Sequence, residues 1–149
     1  QMVISIGASI VGFVGIVAVI NLFLGFFNIT LSDIFSYVFA PFGFLLGLDG
    51  NNILMEGSLL GNKLILNEFV AFQDLGNTLG SLDARTGMIC AISLCGFANL
   101  SSMGMCIGGI GVLCPEKRGT ISRLVFKSMI SGVFVSIMSA LIVSIVSLF

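Results

Sequence analysis

The pattern of hydrophobic and polar positions divides the chain into long apolar stretches separated by short polar breaks. Residues 2–24 carry no charge, and the first ionisable side chain after them is Asp33. Residues 128–149 are likewise uncharged. Because a helix that crosses a bilayer needs roughly 20 apolar residues, the pattern predicts a spanning helix at each end. We place these helices at residues 1–27 and 121–149.

Between these ends, polar residues cut the apolar sequence into pieces too short for simple spans. Residues 31–48 are rich in aromatic side chains, which are typical of the membrane interface. They predict an amphipathic helix near the membrane surface. Ser32 or Asp33 is a suitable cap for it, and Pro41 is expected to kink or end its first part.

A second interrupted stretch covers residues 51–76. Its apolar sequence is cut by Glu56, by Gly61 with Asn62, and again by Glu68, so neither half reaches about 20 residues. We expect a re-entrant hairpin of two short helices around a break at Gly61 and Asn62. Such irregular backbone persists at membrane depth only where protein or a water-filled cavity surrounds it.

The third interrupted stretch, residues 84–114, is apolar on both sides of a polar, glycine-containing centre at residues 96–102. This pattern predicts a discontinuous helix of the kind that forms substrate sites in secondary transporters. A short hairpin followed by a broken helix is expected of one half of an inverted-repeat transporter. The predicted fold class is therefore an all-α integral membrane protein with spanning helices, a re-entrant hairpin and a discontinuous helix.

A basic loop at residues 115–120 follows the broken helix. With Arg123 and Lys127 it contains four of the six basic residues of the chain. The positive-inside rule places this loop in the cytoplasm, as a solvated topological anchor.

Composition supports a membrane protein and excludes several other classes. Hydrophobic residues make up 57% of the 149-residue chain and charged residues 9%, whereas a soluble domain is about 25% charged. A net charge of −1 without a basic stripe gives no sign of nucleic-acid binding. The four cysteines lack zinc-site spacing, and no histidine or hydrolase motif indicates an enzyme. The bare apolar start, without a signal peptide, predicts a piece of a longer protein.

Glu68 is the most informative residue, because an acid within an apolar sequence needs a partner or a ligand. Its carboxylate is able to accept hydrogen bonds from a pair of hydroxyls, to bind a cation or to carry a proton. The alternative is a hairpin residue at the water interface or a salt bridge to Lys63.

Asn99, Ser102 and Phe97 form a second polar and aromatic group in the predicted break. Asn99 offers donors and an acceptor, Ser102 a hydroxyl, and Phe97 a ring for a flat heterocycle. Together with Glu68 they suit a polar, uncharged ligand with several hydroxyls and a flat part, such as a sugar joined to a base. Hydrogen bonding between packed helices is an equally good explanation from these residues alone.

Three segments resemble the C-terminal part of the concentrative nucleoside transporters, including the bacterial NupC-like group. They are IFSYVFAPFGFLLGL at residues 34–48, GNKLILNEFVAF at residues 61–72 and CGFANLSSMGMCIGGIGVLCPEKR at residues 95–118. The resemblance implies nucleoside uptake coupled to Na⁺ or H⁺ in the cell membrane, here that of a bacterium. It also implies a homotrimer with an elevator-like movement of a transport domain against a scaffold that includes the first helix.

The resemblance also implies roles for single residues. Glu68 would accept the ribose hydroxyls, Asn99 and Ser102 would also bind the ribose, and Phe97 would pack near the base. The hairpin that reads the base and the cation site would lie in an N-terminal half outside this chain, so no cofactor or metal is expected here. The alternative is a membrane channel or assembly subunit whose polar residues serve helix packing. Convergence of Glu68, Asn99 and Ser102 on one ligand-sized space would distinguish the two.

Overall fold

A computed structural model describes the backbone of residues 2–149. It also describes the side chains of that range, except those at positions 2, 3, 5, 6, 9, 10, 13 and 112. The predicted first span therefore begins one residue outside the described part. Within it the chain consists of helices and short connections, which confirms the prediction of an all-α fold.

Seven α-helices follow one another along the described residues. They are α1 (Met2–Leu24), α2 (Leu31–Leu45), α3 (Asn51–Ile65), α4 (Glu68–Thr78), α5 (Ala84–Leu94), α6 (Leu100–Leu113) and α7 (Arg118–Val146). Three single 3₁₀ turns occupy Gly25–Phe27, Leu79–Ser81 and Pro115–Lys117. Two of the connections are very short breaks, one between α3 and α4 and the other between α5 and α6. The first lies at residues 66–67 and not at Gly61 and Asn62 as expected, because those two residues continue α3 and Gly61 packs on Phe35 of α2.

The chain turns sharply between α1 and α2. The segment Val14–Phe27 meets Leu31–Leu45 at a bend of 92°. Thr30, and not Ser32 or Asp33, is the N-cap of α2. Its hydroxyl accepts a hydrogen bond from the Asp33 backbone N–H, while the Asp33 carboxylate accepts from the Thr30 backbone N–H and hydroxyl. These bonds hold the pKa of Asp33 below its usual value, and the reciprocal pair fixes where the helix starts.

Pro41 does not end α2, contrary to the sequence-based expectation, because the helix continues through it to Leu45. A proline inside a helix removes one hydrogen bond and crowds the preceding turn. Close packing on α3 continues on both sides of Pro41, at Ser36 and at Gly43. We attribute the persistence of the helix to this packing.

Helices α2 and α3 approach so closely that glycines occupy the contact. A Cβ on Gly57 would overlap the carbonyl oxygen of Ser36, and one on Gly61 would overlap the ring of Phe35. On α2, a Cβ on Gly43 would lie 2.7 Å from the carbonyl oxygen of Ile53. Small residues of this kind let two helix backbones come together, as is common in membrane proteins.

Among the described residues, the helix of α7 with the turn before it, Pro115–Val146, is alone long and apolar enough to cross a membrane by itself. The bent pair formed by the end of α1 and α2 passes the same test only when both parts are counted together. Helices α5 and α6 are apolar but shorter, with 11 and 14 residues.

The buried core joins α3, α4 and α5 to α7. Its members are Leu46, Leu48, Leu59, Ala71, Leu75, Ile89, Cys90, Leu94 and Ala140. This core holds the two breaks side by side, since each break lies at an end of a helix that the core packs.

Hydrogen bonds of Arg85 connect three segments at the other end of α5 from the break. The Arg85 guanidinium donates hydrogen bonds to the Ser147 hydroxyl (3.1 Å), to the Ser144 carbonyl (3.0 Å) and hydroxyl (2.9 Å), and to the Gly47 carbonyl (3.3 Å). It thereby connects the start of α5 with the end of α7 and the loop that follows α2.

Replacing Gly57 with alanine should lower the melting temperature of the full-length protein in lipid, because the new methyl group forces α2 and α3 apart. Overpacking of this kind costs about 1–3 kcal/mol. Gly76 is the matched control: it lies in α4 with open space around it, so Gly76→Ala should be neutral or stabilising by up to about 1 kcal/mol. Equal melting temperatures for the two variants would contradict the close contact.

Candidate functional site

The two breaks meet at helix N-termini that are capped in the same way. Asn67 precedes α4, and its side-chain oxygen accepts a hydrogen bond from the Val70 backbone N–H at 3.0 Å. Asn99 precedes α6, and its side-chain oxygen accepts from the Ser102 N–H at 2.7 Å. Asparagine is a favoured N-cap residue because it satisfies a backbone donor that the helix leaves free.

A hydrogen bond connects the two breaks directly. The Asn99 side-chain amide donates to Oε2 of Glu68 at 2.8 Å. Glu68 is the first residue of α4, so its carboxylate lies at the positive ends of two helices at once. Asn99 is fully buried and Glu68 is half-buried. The site therefore presents a carboxyl group that the fold holds by a hydrogen bond and leaves partly accessible.

Ser102 is buried beside them and completes the cap of α6. Its hydroxyl accepts a hydrogen bond from the Asn99 backbone N–H at 3.1 Å and donates to the Asn99 carbonyl at 2.7 Å. The donor of this hydroxyl is thus engaged within the chain. In this conformation Ser102 positions Asn99, and a direct contact with a ligand would use only the remaining acceptor capacity of its oxygen.

Phe97 lies in the break itself, with 57% of its surface exposed. Its ring and Ser102 line a mainly apolar cavity of about 420 Å³ between the break, α6 and α7. Glu68 and Asn99 do not line that cavity. The structure therefore brings Glu68, Asn99 and Ser102 together and places Phe97 next to them, on the wall of an adjoining apolar space.

Lys63 has a role that the sequence did not indicate. Its side chain is 2% exposed, and the ammonium donates hydrogen bonds to the carbonyls of Ser93 at 2.8 Å and Cys95 at 3.5 Å. These carbonyls end α5, where the helix dipole is negative and backbone acceptors lack helical partners. Lys63 thus stabilises the first half of the broken helix, and the structure does not show the salt bridge to Glu68 that was one alternative.

The break between α5 and α6 also depends on Ser136 and Gly96. The Ser136 hydroxyl, on α7, donates to the Cys95 carbonyl at 2.7 Å. Gly96 follows with φ +123°, and a Cβ there would lie 2.7 Å from the Ser136 hydroxyl oxygen. Glycine is required at this position for both its backbone angle and its lack of a side chain.

No group of three or more histidine, cysteine, aspartate or glutamate side chains is placed to hold a metal ion within the described part of the chain. The polar side chains that meet at the breaks are a carboxylate, a carboxamide and a hydroxyl, and all three form hydrogen bonds.

The chain is similar to transport proteins over nearly its whole length. A family profile described as "Na+ dependent nucleoside transporter C-terminus" matches residues 1–144. The chain belongs to this family. The purine nucleoside transport protein NupG of Bacillus subtilis is 42% identical over 96% of the chain, and the nucleoside permease NupC of Helicobacter pylori is 36% identical over 95%.

Solved structures agree with this family assignment. A structure of CNTnw in an inward-facing substrate-bound state has a TM-score of 0.89 and 33% identity, and it covers 100% of this chain and 37% of that one. The chain spans little more than a third of the length of these relatives, 37% of both NupG and NupC. These relatives are a transport protein and a permease, which confirms at the family level that the chain is not an enzyme.

Replacing Lys63 with methionine should loosen the break, because the carbonyls of Ser93 and Cys95 lose their charged donor while the apolar stem remains. Hydrogen bonds to charged groups contribute about 1.5–3 kcal/mol. The full-length variant should show faster hydrogen exchange in a peptide covering residues 93–99. The control is Lys127→Met, on the exposed surface of α7, which should leave that peptide unchanged. Unaltered exchange in Lys63→Met would contradict this role.

Proposed function

We propose that the chain is the C-terminal part of a nucleoside uptake transporter driven by Na⁺ or H⁺, and that it provides the ribose side of the substrate site. The observation that carries the proposal is the hydrogen bond between Asn99 and Glu68, which joins the two breaks at their N-termini. Family membership and the names of the relatives support the substrate class.

The chemistry of Glu68 suits vicinal hydroxyls. An ionised carboxylate has roughly four acceptor positions, and among the described residues one of them is taken by Asn99. The two hydroxyls of a ribose would donate to the others, in charge-assisted bonds of roughly twice the usual strength. Phe97, exposed beside this group, would pack near the base. Asn99 would bind the ribose as well, and Ser102 would contribute through its oxygen or by holding Asn99.

The membrane arrangement follows from the same assignment. In it, α1 and α7 span the membrane, α2 lies at its surface, α3 with α4 forms the re-entrant hairpin, and α5 with α6 forms the discontinuous span. The basic loop at residues 115–120 lies in the cytoplasm. The lipid of a bacterial inner membrane is the expected surroundings, with a homotrimer as the working assembly.

The coupling cation would bind outside this chain. The description of the matching family profile as Na⁺-dependent supports cation coupling. The cation would then act on residues 95–102 and on the start of α4 only indirectly, through contacts with the N-terminal half. We propose that this half also completes the substrate site and recognises the base.

A second candidate function is that of a membrane channel or assembly subunit. It is favoured by the same Asn99–Glu68 contact, because a hydrogen bond between helices is also a common packing device in membranes. The two functions differ in what they need from Glu68. Packing needs only an acceptor for the Asn99 amide, whereas ribose binding needs the negative charge.

Glu68→Gln separates them. Glutamine keeps an acceptor for Asn99 but removes the charge, so nucleoside affinity should fall by about 10- to 150-fold, which corresponds to about 1.5–3 kcal/mol. The measurement is uptake of radiolabelled uridine and adenosine by the full-length protein in a bacterium deficient in nucleoside uptake. Free ribose and free uracil serve as competitors.

The matched control is Glu116→Gln, the same change at an exposed acid after α6, which should transport normally. Expression and membrane insertion are measured for each variant. Normal uptake by a well-inserted Glu68→Gln protein would show that Glu68 does not bind the ribose through its charge. Glu68 would then serve only the packing of the two helices.

A further inference from the structure

Glu56 lies in the middle of α3 with none of its surface exposed. Neither of its carboxylate oxygens has a hydrogen-bond partner among the described residues. The residue is separate from the proposed substrate site, and nothing in that function uses it. Since the side chain is enclosed by this chain itself, a partner from elsewhere could reach it only by displacing the packing.

The groups that face Glu56 come from α5 and from α3. They are Cys90 and Ser93 on α5, and Lys63 two turns further along α3. The Ser93 hydroxyl donates its hydrogen to the Cys90 carbonyl at 2.8 Å. The Lys63 ammonium donates to the carbonyls at the end of α5. The Ser93 hydroxyl and the Lys63 ammonium are therefore already engaged with backbone carbonyls, which leaves the Cys90 thiol, a weak donor, as the other group facing Glu56.

The ionisable groups on the other helices packed against α3 are engaged elsewhere. On α2, the Asp33 carboxylate bonds Thr30, and Tyr37 is 71% exposed. On α4, Asp74 accepts from the Asn62 side-chain amide at 2.9 Å, while Glu68 accepts from Asn99. Helix α6 carries no acidic or basic residue, and its single ionisable group, Cys106, lines the apolar cavity on the α7 side.

An ionised carboxylate in this position would have only the weak Cys90 donor and the charge of a Lys63 ammonium that is bonded elsewhere. Burying a charge without hydrogen bonds or a paired ion is so unfavourable that the group takes up a proton instead. An ionised Glu56 would also attract the Lys63 ammonium, because a buried pair of opposite charges is stable only in direct, hydrogen-bonded contact. The ammonium instead lies on the Ser93 and Cys95 carbonyls.

We propose that Glu56 is a buried proton-binding site between the hairpin and the broken helix, and that its bound proton leaves Lys63 free to hold the break. The proton comes from water and forms an O–H on one carboxylate oxygen. The Ser93 hydroxyl faces Glu56, and because its own hydrogen points to Cys90, its oxygen is the acceptor that we assign to this O–H. Loss of the proton leaves a carboxylate that competes with the carbonyls of α5 for the Lys63 ammonium.

The test is infrared spectroscopy of the full-length protein in lipid vesicles, in H₂O and D₂O, from neutral to alkaline pH. The carbonyl stretch of a protonated carboxylic acid lies apart from the bands of carboxylates and shifts on deuteration. We expect such a band at neutral pH, its loss in Glu56→Gln, and its retention in Glu68→Gln. Glutamine has the shape of the neutral acid, so Glu56→Gln should also melt at or above the temperature of the unchanged protein.

Two results would overturn the proposal: a wild-type spectrum without the band at neutral pH, or a band that Glu56→Gln leaves in place. The first means that Glu56 is ionised, either paired with Lys63 or bound to a cation. If Glu56→Gln does not fold, Ser93→Ala replaces it. Removing the acceptor should shift the band to the frequency of a carboxylic acid without a hydrogen bond, and an unmoved band contradicts the assignment.

Discussion

Every backbone group freed by the two helix breaks has to be paired inside the protein, and the rest of the structure depends on that pairing. In the membrane arrangement that we propose, both breaks lie in hydrocarbon, where no water is available to take the place of a lost helical hydrogen bond. Asn67 and Asn99 satisfy donors at the starts of α4 and α6, while Lys63 and Ser136 supply donors to carbonyls at the end of α5. Charged and polar side chains in an apolar chain are thus explained first by its own broken backbone.

The same pairing creates a place for a ligand. Two helices that begin close together bring their positive ends together, and the Glu68 carboxylate lies there with one hydrogen bond, from Asn99, among the described residues. The remaining acceptor positions of the carboxylate are the ones that we propose for the hydroxyls of the ligand. Ser102 supports this arrangement by completing the cap of α6. Gly96 supports it because the absence of a side chain lets the backbone pass close to the Ser136 hydroxyl. Family membership then connects this geometry with nucleosides.

Local signals in the sequence predicted the helical class, the break between α5 and α6 and the residues that meet there. They misplaced the other break, because Gly61 and Asn62 lie inside α3, where Gly61 admits the ring of Phe35 and Asn62 donates to Asp74. Glu68 and Asn99 stood out because each interrupts an apolar stretch. The role of Lys63 could not be predicted, since its acceptors lie 30 and 32 positions away on another helix. The Thr30 cap of α2 is a local signal that the prediction missed, since Thr30 and Asp33 form a reciprocal pair within one helical turn. By contrast, α2 passed through Pro41 because packing against α3 acts over a distance that local propensity does not include. The burial of Glu56 depends on the same long-range packing.

If the charge of Glu68 binds the hydroxyls of a ribose, then removing the charge and removing the hydroxyls should have overlapping effects. The affinities of uridine and 2′,3′-dideoxyuridine are therefore measured for the full-length protein and for Glu68→Gln, by competition against uptake of labelled uridine. We expect the unchanged protein to prefer uridine strongly and the variant to lose most of this preference, while both bind the dideoxy analogue about equally. A preference for uridine that is undiminished in Glu68→Gln would show that the charge of Glu68 does not bind the ribose hydroxyls.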